Sequence, residues 1–440
     1  MAKSIDTSAI TKHYQREFER LHGNSNGSLT AWRRAALDQF SASGLPSSKQ
    51  EDWRNLNLGP ISGEYFVATP APELDLFNNL DFKYLPRTPR LVFVNGYFTA
   101  ELSDLSQLSD EVKINSLTYL LKTDPKQVAK AVLGNTPEST NPFDRLNAAF
   151  FNSGVKIDLP ARLIDPVTIQ LIFITRPTSD NQVFHLRNLI NIGSGSQLNL
   201  VEQYIGLGEL NYFNNVVTDV VVEENGGFEC TKIQAETPSG NQLSNTILNQ
   251  QTDSRSKSLT VSMSGKLVRN NLLLALRGEG AHGDLNGLYL GRHNNVIDNH
   301  TLIDHIVPNC TSAELYKGIL DENAQAIFNG KIIVQPDAQK TNANQINRNL
   351  LLSDKARVHT NPQLEIDADD VKCSHGSTTG ELDSDTLFYL RSRGISTAEA
   401  QALMVNGFAN EVLETISDDA TRELVINMVS DWFINKSEIS

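Results

Sequence analysis

A stretch of about 200 residues, beginning near Asp158, consists of short runs in which apolar and polar residues alternate. Small polar turns separate the runs, among them GSGS, ENGG, GEGAHG, DENA and SDKA. Because no helical pattern of roughly 10–15 residues interrupts the stretch, a doubly wound parallel sheet is excluded. The runs predicted to be strands are VTIQLIFIT, FHLRNLINI, QLNLVEQYI, VVTDVVVEE, FECTKIQAE, LTVSMSG, NLLLALRG, AIFNGKIIV and ARVHTNPQLEI.

Two architectures satisfy this strand pattern. One is a sandwich or barrel, and the other is a parallel β-helix whose coils stack as a solenoid. Similar phrases recur where a turn leads into a strand, namely GSQLNL, GGFECTK, NAQAIFNG and KARVHT, which favours the solenoid. The repeat is irregular, however, so periodicity alone leaves both architectures open.

A mainly helical region precedes the strands. Apolar residues recur at three- and four-residue spacing over residues 8–43, which predicts two helices, the second capped by Ser28. The run RLVFVNGYF predicts a strand that enters a turn at Asn95-Gly96. A further helix is predicted from Ser116 to Leu133, bridging a kink at Pro125.

Helical patterns return after Gly380. LDSDTLFYLRSRG predicts a helix that Gly394 ends, and the next helix begins with a capping box formed by Ser396 and Glu399. A third helix is predicted from about Ala420 to Trp432. The three regions give the predicted domains: a mainly helical N-terminal domain at 1–150, a strand-rich core at 151–376 and a helical C-terminal domain at 377–440.

The charge and the N-terminus limit the classes of partner. The 440 residues include 38 basic and 52 acidic side chains, and the formal charge of −14 has the wrong sign for phosphate contacts, so nucleic acid is not expected to bind. No apolar run approaches the ~20 residues of a membrane span. The N-terminal sequence lacks the apolar segment of a secretory signal. We therefore expect a soluble cytoplasmic protein with no membrane partner.

Motifs of self-contained catalysis are missing from the sequence. Gly265-Lys266 and Gly330-Lys331 lack the upstream glycine and the following hydroxyl residue of a P-loop. The hydrolase motif G-x-S-x-G, the zinc motif H-E-x-x-H and an EF-hand loop are absent too. The chain is therefore predicted to bind no nucleotide itself and not to be an enzyme.

The three cysteines, Cys230, Cys310 and Cys373, lie far apart and form no C-x-x-C pair. Neither a disulfide framework nor a zinc site can be built from them alone, so reduced thiols are expected. Cys373 stands two residues before His375, and residues two apart in a strand share a face. We therefore expect both side chains to face the apolar interior together with Val371.

An interior thiol is usually an ordinary small hydrophobe, and a single histidine more often has a structural role than a ligating one. Cys373 and His375 together become a soft-metal or sulfur site only if further ligands are present. Tetrahedral iron requires about four ligands, so a partner chain would have to supply the rest.

A second group of candidates lies in VIDNHTLIDH, which contains Asp298, His300 and His305. Asp298 and His300 share a face of the predicted strand, where the carboxylate can orient the imidazole toward a ligand or simply pair with it. The structural interpretation is favoured.

Segments spread over about 390 residues resemble the SufB/SufD family of iron–sulfur cluster assembly proteins, and KCSHGSTTGELDSDTLFYLRSRGIS is closest to the SufD branch. A SufB-like sequence would differ at Cys-Ser-His-Gly. One departure is Ser377, where the family usually has alanine. The other similar segments are SKQEDWRNLNL, RLVFVNGYF, VRNNLLLALRGEGA, GLYLG, DNHTLIDH, YKGIL and AQKTNANQINRNLLLSDKARVHTNPQLEIDADDVKCSHG.

The resemblance implies a mainly β protein with a right-handed parallel β-helix between helical terminal domains. It also implies a scaffold subunit that pairs with SufB through the β-helix, and SufB and SufD each bind one copy of the ATPase SufC. A transient iron–sulfur cluster would be shared with SufB, and the chain alone would form a homodimer. By motif match, His375 is implied in cluster assembly, with Cys373 as a less certain neighbour. Residues implied in docking SufC are Leu387, Phe388, Tyr389, Arg391 and Arg393.

Two other functions fit a β-helix. A carbohydrate-active enzyme would need facing carboxylates, whereas acidic residues such as Asp253, Glu279, Asp321 and Asp354 fall in turns. A structural β-helix that self-assembles would need regular repeats and uncovered ends, whereas these coils are irregular and helical regions flank them.

Overall fold

A parallel β-helix of about eight turns forms the centre of the computed structural model, which describes residues 7–23, 27–68, 82–135 and 141–434. Its walls are two sheets. From residue 155 onward, successive strands of the chain belong alternately to one sheet and the other. Each strand therefore pairs in parallel with the strand two places along the chain. Paired residues in successive coils are separated by 26 residues, as for Asn241 and Leu267, to 33 residues, as for Lys156 and Leu189. The predicted fold class is confirmed, and the choice between solenoid and sandwich is resolved.

The strands are β1 (Val67–Ala68), β2 (Arg90–Val94), β3 (Tyr97–Phe98), β4 (Lys113–Ser116), β5 (Val155–Leu159), β6 (Val167–Thr175), β7 (Gln182–Ile192), β8 (Gln197–Gly206), β9 (Tyr212–Val222), β10 (Gly227–Ala235), β11 (Gly240–Gln250), β12 (Arg255–Ser264), β13 (Leu267–Leu276), β14 (His282–Gly291), β15 (Val296–His305), β16 (Thr311–Leu320), β17 (Gln325–Val334), β18 (Asn342–Leu351), β19 (Arg357–Ile366) and β20 (Lys372–Gly380). The helices are α1 (Thr7–His22), α2 (Ser28–Ser43), α3 (Gly59–Ser62), α4 (Leu117–Thr123), α5 (Pro125–Asn135), α6 (Pro142–Phe150), α7 (Ser384–Ser392), α8 (Thr397–Leu413) and α9 (Asp419–Ile434).

The interior of the β-helix is apolar along one side and polar along the other. Alternate residues of each strand point inward, and those such as Ile297, Ile303 and Phe328 form the continuous core. Elsewhere the inward positions hold amides that pair between coils: the Nδ2 of Asn270 donates to Gln234 at 3.0 Å and to Asn299 at 3.1 Å. Polar strands such as β11 and β18 therefore still bury side chains, because many of the amides hydrogen-bond to one another.

The N-terminal helices cover the outer face of one sheet. Phe18, Phe40 and Phe150 pack together with Phe213 of β9. The helix α2 begins at Ser28 itself, so the predicted cap is wrong: Gly27 occupies the N-cap position and no side chain caps the helix. The helix predicted across Pro125 is two helices, since proline has no N–H to continue the hydrogen-bond ladder.

The predicted hairpin at Asn95-Gly96 is confirmed. β2 and β3 pair antiparallel across these two residues. Both have positive φ angles, 47° at Asn95 and 80° at Gly96, as a two-residue turn of this kind requires.

The C-terminal helices pack on the outer face of the other sheet. Val405, Ala409 and Val412 of α8 contact an apolar patch that includes Leu288 and Ile319. The predicted capping box of Ser396 and Glu399 is confirmed. None of the helices within the described ranges is long and apolar enough to cross a membrane.

The buried carboxyl of Glu236, at the end of β10, makes stability depend on pH. It accepts hydrogen bonds from the hydroxyl of Tyr212 and, at 2.9 Å, from Asn214. Burial raises the pKa of Glu236 from 4.5 to about 7, against the lowering effect of these hydrogen bonds. The folded protein therefore holds this proton more tightly than the unfolded chain, and it loses stability as the pH rises from about 4.5 to about 7.

We predict that Glu236→Gln removes this part of the pH dependence, because an amide does not titrate. Melting temperatures of both proteins would be measured between pH 5 and 8. The melting temperature of the variant should increase relative to that of the wild type as the pH rises. A constant difference across the range would show that the carboxyl of Glu236 is charged in the folded state throughout.

Candidate functional site

The β-helix has an open end at its last coil. The strands β19 and β20 are terminal members of the two sheets, paired on one edge with β17 and β18. Within the described residues no strand pairs with their other edges, which leaves two rows of backbone N–H and C=O groups unpaired by strands. Such edges are templates for adding a strand from another chain.

Cys373 and His375 lie on β20 at this open end. Cys373 pairs in register with Ala343, and His375 pairs with Gln345. Ala343 and Gln345 are both buried, and Cys373 packs against the apolar core beside Val371. His375 has the same inward parity, but its side chain is exposed because no further coil covers it.

The rim of the open end is partly polar. The hydroxyls of Thr360 on β19 and Ser377 on β20 form a hydrogen bond of 2.9 Å. Ser377 therefore ties the two terminal strands together, which alanine at this position could not do. Beside this bond, Val358, Leu364 and Cys373 expose apolar surface that the core only partly covers.

The three thiols are free, and none of them is activated by its surroundings. Burial raises the pKa of Cys373, of Cys310 and of Cys230. A raised pKa keeps a thiol protonated, whereas nucleophilic attack and metal binding require the thiolate. Of the Cys373–His375 pair, the imidazole is the more exposed group.

Across residues 7–23, 27–68, 82–135 and 141–434, no three side chains of histidine, cysteine, aspartate or glutamate lie together in a way that could hold a metal ion. The site at the open end thus consists of one exposed imidazole, one protonated thiol and two free strand edges.

The five predicted docking residues lie on or next to α7, the helix that follows β20. No residue of α7 is buried, and Phe388 and Tyr389 are 73% and 56% exposed. Arg393 lies over the ring of Tyr389 at 5.1 Å, which holds one cation beside an exposed aromatic ring. Leu387 is half-buried and Arg391 is exposed, so the set combines exposed aromatic side chains with two arginines.

Asp298 and His300 share the outer face of β15, and their side chains are 2.9 Å apart. The sequence did not indicate their main partner, Arg269 of β13, which donates to Asp298 at 2.5 Å. Burial raises the pKa of Asp298, but Arg269 and His300 outweigh that effect, so its pKa lies below the ordinary value. The guanidinium also lies 3.8 Å over the ring of Trp53, which joins the N-terminal region to the β-helix.

This cluster borders a cleft of about 550 Å³ between residues 51–56 and strands β15, β17 and β19. His305 does not belong to it. The opposite parity of His305 points it into the β-helix, where its Nε2 lies 2.9 Å from the hydroxyl of Ser312. Burial lowers the pKa of His305 to about 4, so this imidazole is neutral and structural.

Comparison with known proteins connects this architecture to a family. Residues 5–171 match the N-terminal region of SufBD proteins, and residues 173–408 match the SufBD core domain of the SUF system of iron–sulfur cluster assembly. The chain belongs to the SufBD family. Membership implies a role in iron–sulfur cluster assembly and favours that role over the carbohydrate-active and self-assembling alternatives.

Full-length relatives agree with the SufBD assignment. An iron–sulfur cluster assembly SufBD family protein of Synechocystis sp. is 33% identical over 430 residues, which cover 94% of each chain. The iron–sulfur cluster assembly protein SufD of Escherichia coli is 30% identical over 398 residues, covering 89% of this chain and 90% of SufD. A chloroplastic protein of Arabidopsis thaliana, ABCI7, is 33% identical over 408 residues, covering 90% and 84%.

The charged cluster of this SufBD protein is predicted to be structural. Asp298→Asn should lower the free energy of unfolding by on the order of 3 kcal/mol, because Arg269 then loses its buried counter-charge. Denaturant unfolding would measure the change. Asp370→Asn, which breaks an exposed pair with Lys340, is the matched control and should change stability far less. Equal effects would mean that the Arg269–Asp298 pair is not held in the interior.

Proposed function

We propose that this chain is a non-catalytic scaffold subunit for iron–sulfur cluster assembly, and that a SufB-like partner covers the open end of its β-helix. The observation that carries the proposal is the uncovered last coil, with its two free strand edges and an exposed imidazole at His375. The proposed scaffold is the region 151–376, flanked by docking and bracing regions at 377–440 and 1–150.

The open end suits a partner with the same architecture. The free edges of β19 and β20 can form new ladders with the edge strands of a second β-helix. Val358, Leu364 and Cys373 would then lose their remaining contact with water, which stabilises the pair. A second copy of this chain offers the same edges, so the chain alone is expected to form a homodimer.

His375 is the proposed cluster-assembly residue. It lies between the two free edges, so a partner that docks there would place its own side chains beside the imidazole. Iron in a cluster takes about four ligands, and cysteine thiolates from the partner can supply those that this chain does not. The transient cluster would then be shared between the two subunits. Cys373 would remain a neighbour, since burial favours its thiol form.

The surface of α7 is the proposed docking site for a SufC-like ATPase. Exposed aromatic residues next to arginine are typical of binding hot spots, and Phe388, Tyr389 and Arg393 provide that combination. Nucleotide would be bound by the ATPase and not by this chain, which is consistent with the missing P-loop.

The first test is co-expression of the tagged chain with SufB-like and SufC-like proteins of the same organism, followed by the mass of the purified complex. We expect one copy of each β-helix subunit and two ATPase copies. Phe388→Ala should weaken ATPase binding to this chain at least about tenfold, because truncation removes an apolar anchor.

Leu403→Ala is the matched control, since Leu403 is also an exposed apolar residue of the C-terminal helices but lies on α8. It should leave ATPase binding unchanged. Equal loss in both variants would indicate a general disturbance of the C-terminal helices. Recovery of the wild-type chain without any partner would refute the scaffold assignment.

His375→Ala should reduce cluster formation by the co-expressed complex to background while the complex still assembles. Cluster content would be measured by absorbance, iron and acid-labile sulfide. Ser374→Ala changes the adjacent side chain, which faces outward, and is expected to give wild-type yield. Wild-type yield from His375→Ala would remove His375 from the mechanism.

A further inference from the structure

A row of polar side chains inside the β-helix leads to His375. In the sheet that ends at β20, Glu314 of β16, Gln345 of β18 and His375 occupy successive positions of one inward-facing row. Neighbouring strands lie about 4.8 Å apart, so side chains in such a row stack directly on one another. Below Glu314 the same row continues with the apolar Leu285. The polar row is therefore confined to the last three coils.

Glu314 fixes the orientation of the amide above it. Its carboxyl is buried and accepts two hydrogen bonds, one from the hydroxyl of Thr301 at 2.6 Å and one from the Nε2 of Gln345 at 2.7 Å. Burial raises the pKa of Glu314 to about 7 despite these two donors. Because the amide nitrogen of Gln345 is engaged from below, its oxygen must find a partner elsewhere.

Gln345 has little room to turn away. Its side chain is fully buried and lies against Gly330 of the opposite wall, where an added Cβ would be 2.3 Å from the Nε2 of Gln345. The absence of a side chain at Gly330 thus makes space for the amide. The side chain of Gln345 is therefore confined by Gly330 of the opposite wall and by Glu314 of the preceding coil.

The Oε1 of Gln345 is buried and accepts no hydrogen bond from the described residues. A buried acceptor without a donor costs about 1–3 kcal/mol, which is a strong drive to recruit one. The next residue in the row is His375, whose side chain is exposed. Imidazole always carries at least one N–H, so His375 can supply the missing donor.

We propose that Gln345 positions His375 by accepting a hydrogen bond from one imidazole nitrogen through Oε1. The other ring nitrogen is then left unprotonated and faces the open end. Histidines that bind metals typically donate their second N–H to a carbonyl or carboxylate in this way, which fixes the ring and its tautomer. Glu314 acts one step further back by keeping the amide of Gln345 in the orientation that presents oxygen to His375.

This inference rests on the proposed function of His375, but its first test does not use a cluster. The full-length chain would be labelled with ¹⁵N-histidine, and the tautomer of His375 would be read from its ring nitrogen shifts, assigned by comparison with His375→Ala. One neutral tautomer should predominate in the wild type. Gln345→Leu should abolish that preference, and Glu314→Gln should reduce it, because a glutamine at 314 can present either end of its amide to Gln345.

The matched control is Asn344→Leu. Asn344 precedes Gln345 on the same strand and pairs in register with Ser374, but it faces outward. This variant should keep the wild-type tautomer. The same mixture of tautomers in wild type and Gln345→Leu would overturn the inference, whatever the role of His375 in assembly. Thermal melting would check that each variant is folded.

A second readout distinguishes positioning from stability alone. In the co-expressed complex, Gln345→Leu should slow cluster formation about 10–100-fold, the usual cost of losing a group that orients a ligand. Normal cluster formation by a folded Gln345→Leu variant would overturn the positioning role. If the wild type shows one predominant tautomer but His375→Ala still forms clusters at the full rate, the proposed function of His375 is refuted. The hydrogen bond to Gln345 would then be a structural one.

Discussion

Each strand of the β-helix completes its backbone hydrogen bonds by pairing with the strand one coil before it and the strand one coil after it. This requirement explains why the two sheets grow together by one strand per coil and why the strands pair in order from β7 to β19 and from β8 to β20. It also means that the fold cannot close on itself, because the last coil always has unpaired edges. The open end is therefore a consequence of the architecture, and His375 lies on one of its two terminal strands.

The polar half of the interior is the second constraint. Burying amides and carboxyls is tolerated because the coils place them in rows where many of these groups meet a partner from the next coil, as Asn270 meets Asn299. The last coil limits this arrangement, because its residues have no partner from a further coil. Gln345, one coil earlier, has only that last coil above it: its nitrogen donates to Glu314 below, and the residue next to it above is His375.

Much of the fold could be predicted because alternation of apolar and polar residues reports on strands directly. VTIQLIFIT coincides with β6, and parity alone placed Cys373 and His375 on one face. Strands such as β11, GNQLSNTILNQ, were missed because polar amide side chains occupy inward positions. A pattern based on hydrophobicity assigns such residues to loops. Neither Arg269 as a partner of Asp298 nor Gln345 as a neighbour of His375 could be predicted. Contacts between coils depend on the strand register, and turns of variable length determine that register.

The proposed docking helix and the proposed assembly residue are adjacent in the chain although they lie on different elements. Only residues 381–383 separate the end of β20 from the start of α7. Because α7 buries none of its own residues, its position is set by this short connection and by packing on α8. A partner that binds Phe388 and Tyr389 would therefore pull on the strand that carries His375. The ladder with β18 and the hydrogen bond between Ser377 and Thr360 of β19 hold that strand in place. Within the proposed function, β20 is thus both a strand to which a second β-helix attaches and the strand through which a change of shape in the ATPase would reach His375.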